Sequence, residues 1–131
     1  MSPSDIDVLA EHVAKGTEPP FRLHAHALAG SRGALRLSLT PWAPLVRLHA
    51  ALTEINTSVG APGGKPTGGF RPHMGVAYNN RERPAAPVVE VATTLRQSAP
   101  VALDVSTVEV VELQRTDRAY RIRVLHRVPL K

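Results

Sequence analysis

The run Gly68-Gly69-Phe70-Arg71-Pro72-His73-Met74-Gly75-Val76-Ala77-Tyr78 sets a histidine at the head of a strand-like stretch, behind a glycine-rich loop and an Arg-Pro step. Imidazole exchanges protons near neutral pH, so His73 is the natural general acid or base of the chain. Two residues along a strand share a face, and there the sequence has Gly75, which offers no side chain. A strand glycine can mark a bulge or a close helix contact, or it can make room beside His73 for a ligand larger or less polar than a phosphate. Arg71 and Tyr78, which flank His73, and Lys65 in the preceding loop are the expected rim groups. His24 and His26 share one face of an earlier strand-like run, either as a second imidazole to pair with His73 or as solvated residues of a half-exposed strand. A His-x-His pair brings no third ligand at metal spacing, so no metal site is expected, and no cofactor. His12 and His49 fall beside leucine stripes as packing residues, and His126 lies on a face read as solvated, with Arg121 and Arg123.

The elements that must position these groups follow from periodicity. Residues 4–16 read as a short amphipathic helix, with Ser4 as cap, Asp5 and Asp7 in the first turn, Ile6, Leu9 and Val13 as its stripe, and Gly16 as its end. Phe21, Leu23, Ala25 and Ala27 alternate with polar residues, and Leu35, Leu37 and Leu39 do the same, so residues 21–40 read as a hairpin turning at 29–33. Leu45, Leu48, Leu52 and Ile55 give the clearest helix, after Pro41 and Pro44. Residues 57–69 are a loop by composition. The strand at 73–78 carries His73, Gly75 and Ala77 on one face and Met74, Val76 and Tyr78 on the other. After a loop at 79–87, Val88, Val91 and Leu95 mark a third helix ending near Gln97; residues 100–115 alternate with a change of phase near Ser106, and the last strand puts Tyr120, Ile122 and Val124 on one face. Hairpins with helices laid between them specify an α+β fold of mostly antiparallel sheets.

At 131 residues the expectation is one domain over 1–131. No apolar run reaches the roughly 18 residues of a membrane helix, and the acidic N-terminal stretch is unlike a signal peptide, so no membrane partner and a cytoplasmic location are expected. The absence of cysteine removes disulfides, thiol catalysis and cysteine-based zinc sites. The net charge of +5 is carried almost wholly by arginine, with lysine only at Lys15, Lys65 and Lys131. That suits anion recognition, although a chain rich in Ala, Val, Pro and Arg can equally reflect base composition. No charge run is dense enough for a nucleic-acid arm, and aromatic residues make up only 4% of the chain, too few for a stacking platform, so sequence-specific DNA binding is not expected.

The stretch from Phe70 to Asn80 resembles the second signature of the two-histidine (2H) phosphoesterase superfamily, in particular the 2′-5′ RNA ligase-like proteins of actinobacteria. The similarity runs over residues 5–130, through 20–52 before this stretch and 83–95 and 119–130 after it. It implies a bilobal α+β fold in which two His-x-Thr/Ser strands face each other across a central groove that holds a small-molecule ligand. Two departures stand out. The first His-x-Thr/Ser strand would precede the helix at 5–15 and is not in this chain, and the second motif has Gly75 where the family has Ser or Thr. One imidazole cannot both take a proton from water and deliver one to the leaving oxygen. Three functions stay open: a repurposed biosynthetic enzyme for isomerisation, dehydration or cyclisation with His73 as its single acid/base; a cyclic or 2′-5′ phosphodiesterase or RNA ligase-like activity helped by His24, His26 or a partner subunit; and a non-catalytic protein that binds a nucleotide or small anion. A sheet edge left open by the missing strand makes a homodimer the expected assembly.

Overall fold

Helix α1 (Pro3–Gly16) is capped two residues earlier than expected. In the computed structural model, which describes residues 1–16, 18–31, 34–61, 64–78 and 82–131, Ser2 and Asp5 form a capping box in place of a Ser4 cap. The Asp5 amide donates to the Ser2 hydroxyl at 3.2 Å, and the Asp5 carboxylate accepts from the Ser2 amide at 2.9 Å and hydroxyl at 2.7 Å. Pro3 then falls at the first helical position, where its missing N–H costs nothing. These hydrogen bonds, the hydroxyl's first, hold the Asp5 carboxyl below the usual carboxylate range.

The chain continues through β1 (Phe21–Ser31), β2 (Ala34–Thr40), α2 (Trp42–Ser58), a 3-10 turn (Thr67–Gly69), β3 (His73–Tyr78), α3 (Ala86–Leu95), β4 (Val101–Val105), β5 (Thr107–Arg115) and β6 (Tyr120–Pro129). Helices and antiparallel strands in this order make the fold α+β, and the phase change near Ser106 is the junction of β4 and β5. Parts of the loops expected at 29–33, 57–69 and 79–87, namely 32–33, 62–63 and 79–81, lie outside the described residues. No helix among the described residues is long and apolar enough to cross a membrane.

Residues group into two compact units. The first comprises 1–21, 46–70 and 105–131. Its core joins Ala10 and Val13 of α1 to Val128 of β6, with Leu9, Ala14, Leu52, Ile55, Val108 and Val110 packed around them. β5 and β6 pair antiparallel from Thr107 with Pro129 to Arg115 with Tyr120, and a register shift falls between Val110 and Val111. Before the shift, the inner face carries Val108, Val110 and Val128 against α1. His126 joins this face, stays partly exposed as expected, and its Nε2 meets the Asp7 carboxylate of α1 at 3.0 Å. Arg123 pairs with Glu112 at 2.8 Å and Arg127 with Glu109 at 2.9 Å. The face with Tyr120, Ile122 and Val124 forms as expected, together with Val111 and Leu113, but stays exposed: Leu113 at 59% and Ile122 at 64%.

The second unit comprises 22–45 and 71–104. Its sheet runs β3-β2-β1-β4, with β1–β2 and β2–β3 antiparallel, so the expected hairpin forms and β1 is interior. One face buries Leu23, Ala25 and Leu39, and Ala92 of α3 is buried too. Arg96, just beyond α3, donates from Nε to the Leu28 carbonyl at 3.0 Å, tying that helix end to β1. The stripe expected on this helix does not face a core: Val88, Val91 and Leu95 are all exposed, because the buried contact runs through the small Ala92. Its apolar periodicity reports the helix correctly, and the buried position on it is Ala92.

Candidate functional site

Strand alternation places Arg22, His24 and His26 of β1, Arg36, Ser38 and Thr40 of β2, and His73 and Gly75 of β3 on the same, open face of the second unit's sheet. The register makes rows of them. Ser38 stands opposite His26 on one side and His73 on the other, Thr40 stands opposite His24, and Arg36 opposite Gly75. His26 and His73 are thus two strand spacings apart, about 9.5 Å between Cα atoms, with a serine hydroxyl between them.

The Arg-Pro-His step explains how His73 is held. Pro72 is buried, and a proline biases the residue before it to extended backbone, so the Arg71 carbonyl is fixed. His73 Nδ1 lies 2.7 Å from that carbonyl oxygen. A carbonyl only accepts, so Nδ1 carries the proton and Nε2 presents its lone pair to the open face. This is the arrangement of a general base. The Arg71 guanidinium lies over the Trp42 ring, 5.9 Å from its centroid, a cation–π contact that draws it toward the indole. His26 Nε2 is 2.7 Å from Thr40 Oγ1, which turns that nitrogen toward the neighbouring His24–Thr40 pair. His24 is exposed. Arg22 is held by Asp104 of β4 at 2.9 Å, and this hydrogen bond raises its already high pKa.

Tyr78 departs from the expected alternation. A register shift between Leu35 and Arg36 sets Ala77 opposite Leu35 and Tyr78 opposite Ala34. The phenol is thereby carried to the face of Gly75, not the opposite one, and its Oη lies 3.1 Å from where a Cβ on residue 75 would stand. The room left by Gly75 is occupied by the tip of Tyr78. Lys65 is exposed and belongs to the first unit. In that unit His49 Nδ1 meets Thr67 Oγ1 at 2.8 Å and its ring stacks on Phe70 at 4.2 Å, so it pins the turn at 67–69 to α2. Among the described residues no three His, Asp or Glu side chains are grouped to hold a metal ion.

Arg36, Ser38 and Thr40 are not among the residues that the sequence singles out, because β2 is conspicuous there for its leucines. The polar letters between those leucines are the available signal. Their value depends on β3 pairing with β2, which the order of elements alone does not specify.

The sequence profile of the 2′-5′ RNA ligase superfamily matches residues 1–117. The chain belongs to the 2′-5′ RNA ligase superfamily. This 2H phosphoesterase membership agrees with the fold. A crystal structure of a phosphoesterase is similar with a TM-score of 0.66 at 14% identity, over 99% of this chain and 71% of that one. E. coli LigT, in a crystal structure complexed with 3′-AMP, is similar with a TM-score of 0.65 at 16% identity, over 99% of this chain and 71% of that one. The crystal structure of TT0787 of Thermus thermophilus gives 0.59 at 20% identity, over 98% and 69%. No curated protein matches the chain. Beside His73 and Gly75 on β3, the chain carries a row of polar residues on β2 and β1.

Proposed function

We propose that this face acts on a cyclic or 2′-5′ phosphodiester, with His73 as base and His26 as the second imidazole. The observation that carries the reading is the single row His26, Ser38, His73 across three adjacent strands. His73 Nε2 takes a proton from water as the water oxygen attacks phosphorus; the bond from phosphorus to one ribose oxygen breaks, and that oxygen takes a proton from protonated His26. The cycle leaves His73 protonated and His26 neutral, and exchange with solvent restores both. Ser38 donates to a phosphate oxygen between them. The 3′-AMP bound by E. coli LigT, a protein of the same fold, supports a nucleotide phosphate as the ligand class.

The test is hydrolysis of a 2′,3′-cyclic nucleotide and a 2′-5′ dinucleotide by wild type and by His26→Ala. A fall of about 10²-fold is expected, the lower end for a lost acid, because solvent can protonate part of the leaving oxygen. Because His26 acts as the acid, the alkaline limb of the pH profile disappears with it. Turnover that survives His26→Ala but not loss of His73 replaces this reading with single-histidine chemistry. No turnover of either substrate by wild type overturns it in favour of the repurposed enzyme.

The exposed face of β5 and β6 supports a homodimer through that face, in place of the edge-to-edge pairing expected from the sequence. Two strands alone are marginal in water, and Val111, Leu113, Ile122 and Val124 form two adjacent apolar cross-strand pairs. A twofold axis through that patch would bring Arg115 at one end of one copy toward the Glu109 end of the other. Light scattering at micromolar concentration should return twice the chain mass of 14.1 kDa; the mass of one chain rejects the dimer.

A further inference from the structure

We infer that Tyr78 and Arg36 form an anion seat over Gly75, holding one oxygen of a tetrahedral oxyanion beside the Nε2 of His73. The inference rests on the phosphodiester reading only for the identity of that anion. Three observations meet at this point. Gly75 exposes bare backbone one residue pair along from His73, and its cross-strand partner is Arg36. The shift in the β2–β3 ladder brings Tyr78 onto the same face and places its Oη 3.1 Å from the missing Cβ, over the position that a side chain at residue 75 would take. Neither the Tyr78 hydroxyl nor the Arg36 guanidinium has a hydrogen bond or ion pair to another described residue. Asp104, an acid on a strand of the same sheet, is already held by Arg22.

The chemistry of these groups is complementary to an oxyanion and to little else. A phenol O–H is a neutral donor that does not need to be desolvated as an ion, and it is 77% exposed here at residue level. The guanidinium supplies a fixed charge and a planar pair of donors suited to phosphate. Glycine leaves the strand without a side chain of its own, so the phenol oxygen of Tyr78 stands over the backbone there and is the donor an anion oxygen meets. A Cβ at residue 75 would crowd the phenol oxygen, so glycine at 75 and the phenol of Tyr78 belong together as one unit. The hydroxyl absent from residue 75 is thus supplied by residue 78, from further along the same strand. As a donor aimed at charge that grows on the phosphate during attack, Tyr78 acts chiefly in the transition state.

The experiment follows the ring resonances of His73 in the full chain during titration with inorganic phosphate and, separately, with 3′-AMP. Wild type should bind both with shifts at His73. Tyr78→Phe and Arg36→Gln should each weaken phosphate binding by about tenfold, the loss of one hydrogen bond to a charged group. Gly75→Ser added to Tyr78→Phe should recover most of the loss, because its hydroxyl takes the place of the phenol oxygen; a role for Tyr78 in packing alone is not rescued by a hydroxyl at another position. On a cyclic nucleotide, Tyr78→Phe should lower kcat by about 10²-fold with KM little changed. Equal phosphate affinity in wild type and Tyr78→Phe, or phosphate binding that leaves His73 unshifted, overturns the seat. Phosphate binding with the expected losses, but no turnover of any phosphodiester, keeps the seat and removes the phosphodiester reading.

Discussion

Replacing His73 by alanine is expected to lower turnover of a 2′,3′-cyclic nucleotide by about 10²- to 10⁴-fold, the usual range for a general base. The anchoring of the ring decides how the loss should appear. Nδ1–H is committed to the Arg71 carbonyl at 2.7 Å, so Nε2 alone faces the substrate side. His73→Asn keeps an N–H donor near the position of Nδ1 while removing Nε2. It should preserve the local backbone and still lose activity to the same extent as His73→Ala. His73→Gln places an amide nearer to Nε2, without a basic lone pair, and should be equally inactive. Steady-state kinetics on the three variants, with amide chemical shifts around residues 71–75 as the structural control, separate loss of the base from loss of the strand. Activity retained in His73→Asn would mean that the anchoring bond, and not Nε2, is what the site requires.

Leu23→Ala should be the most damaging single truncation in the second unit. Leu23 is 3% exposed on the interior strand β1, and removing the isopropyl end of its side chain costs about 2–5 kcal/mol from lost transfer energy and the cavity left behind. Set against an ordinary stability of roughly 5–15 kcal/mol, that loss is enough to leave part of the population unfolded. The consequence reaches function, because His24 and His26 are carried on the opposite face of the same strand. Val91→Ala makes the contrast: Val91 is 57% exposed on α3, so its loss should change stability by no more than about 0.5 kcal/mol. Urea unfolding of the two variants beside wild type checks both values. A large loss in Val91→Ala would show that the apolar stripe of α3 is covered in solution.

That contrast marks a limit of reading periodicity. Val88, Val91 and Leu95 recur at helical spacing and do form a helix, but spacing says only that residues share a face, not what that face meets. Alternation in β1 and β2 is the better guide, because Leu23, Ala25 and Leu39 are small or branched residues of one face in a paired hairpin, where a sheet must bury one side. The β5–β6 pair obeys the same alternation and yet leaves Leu113 and Ile122 open.

Local chemistry is legible in the chain itself. His73 stands out as the candidate acid/base residue from its type and its Arg-Pro step, and the anchoring of its ring follows from a contact two residues long. His24 and His26 share a face because period two is a property of any strand. The partner of His73 is not legible, because it depends on which strands become neighbours. Ser38 lies 35 positions before His73, and only the pairing of β2 with both β1 and β3 makes His26, Ser38 and His73 a row. The alternation misplaces Tyr78 for a related reason. A single shift in the β2–β3 ladder reverses the alternation, and no pattern within six residues announces it. What the amino-acid sequence determined by itself is the set of elements and the residue able to move a proton, since both are set by interactions within a few residues. Which groups surround that residue was decided by the tertiary structure, because register and strand order are properties of chain segments far apart that must bury their apolar faces together.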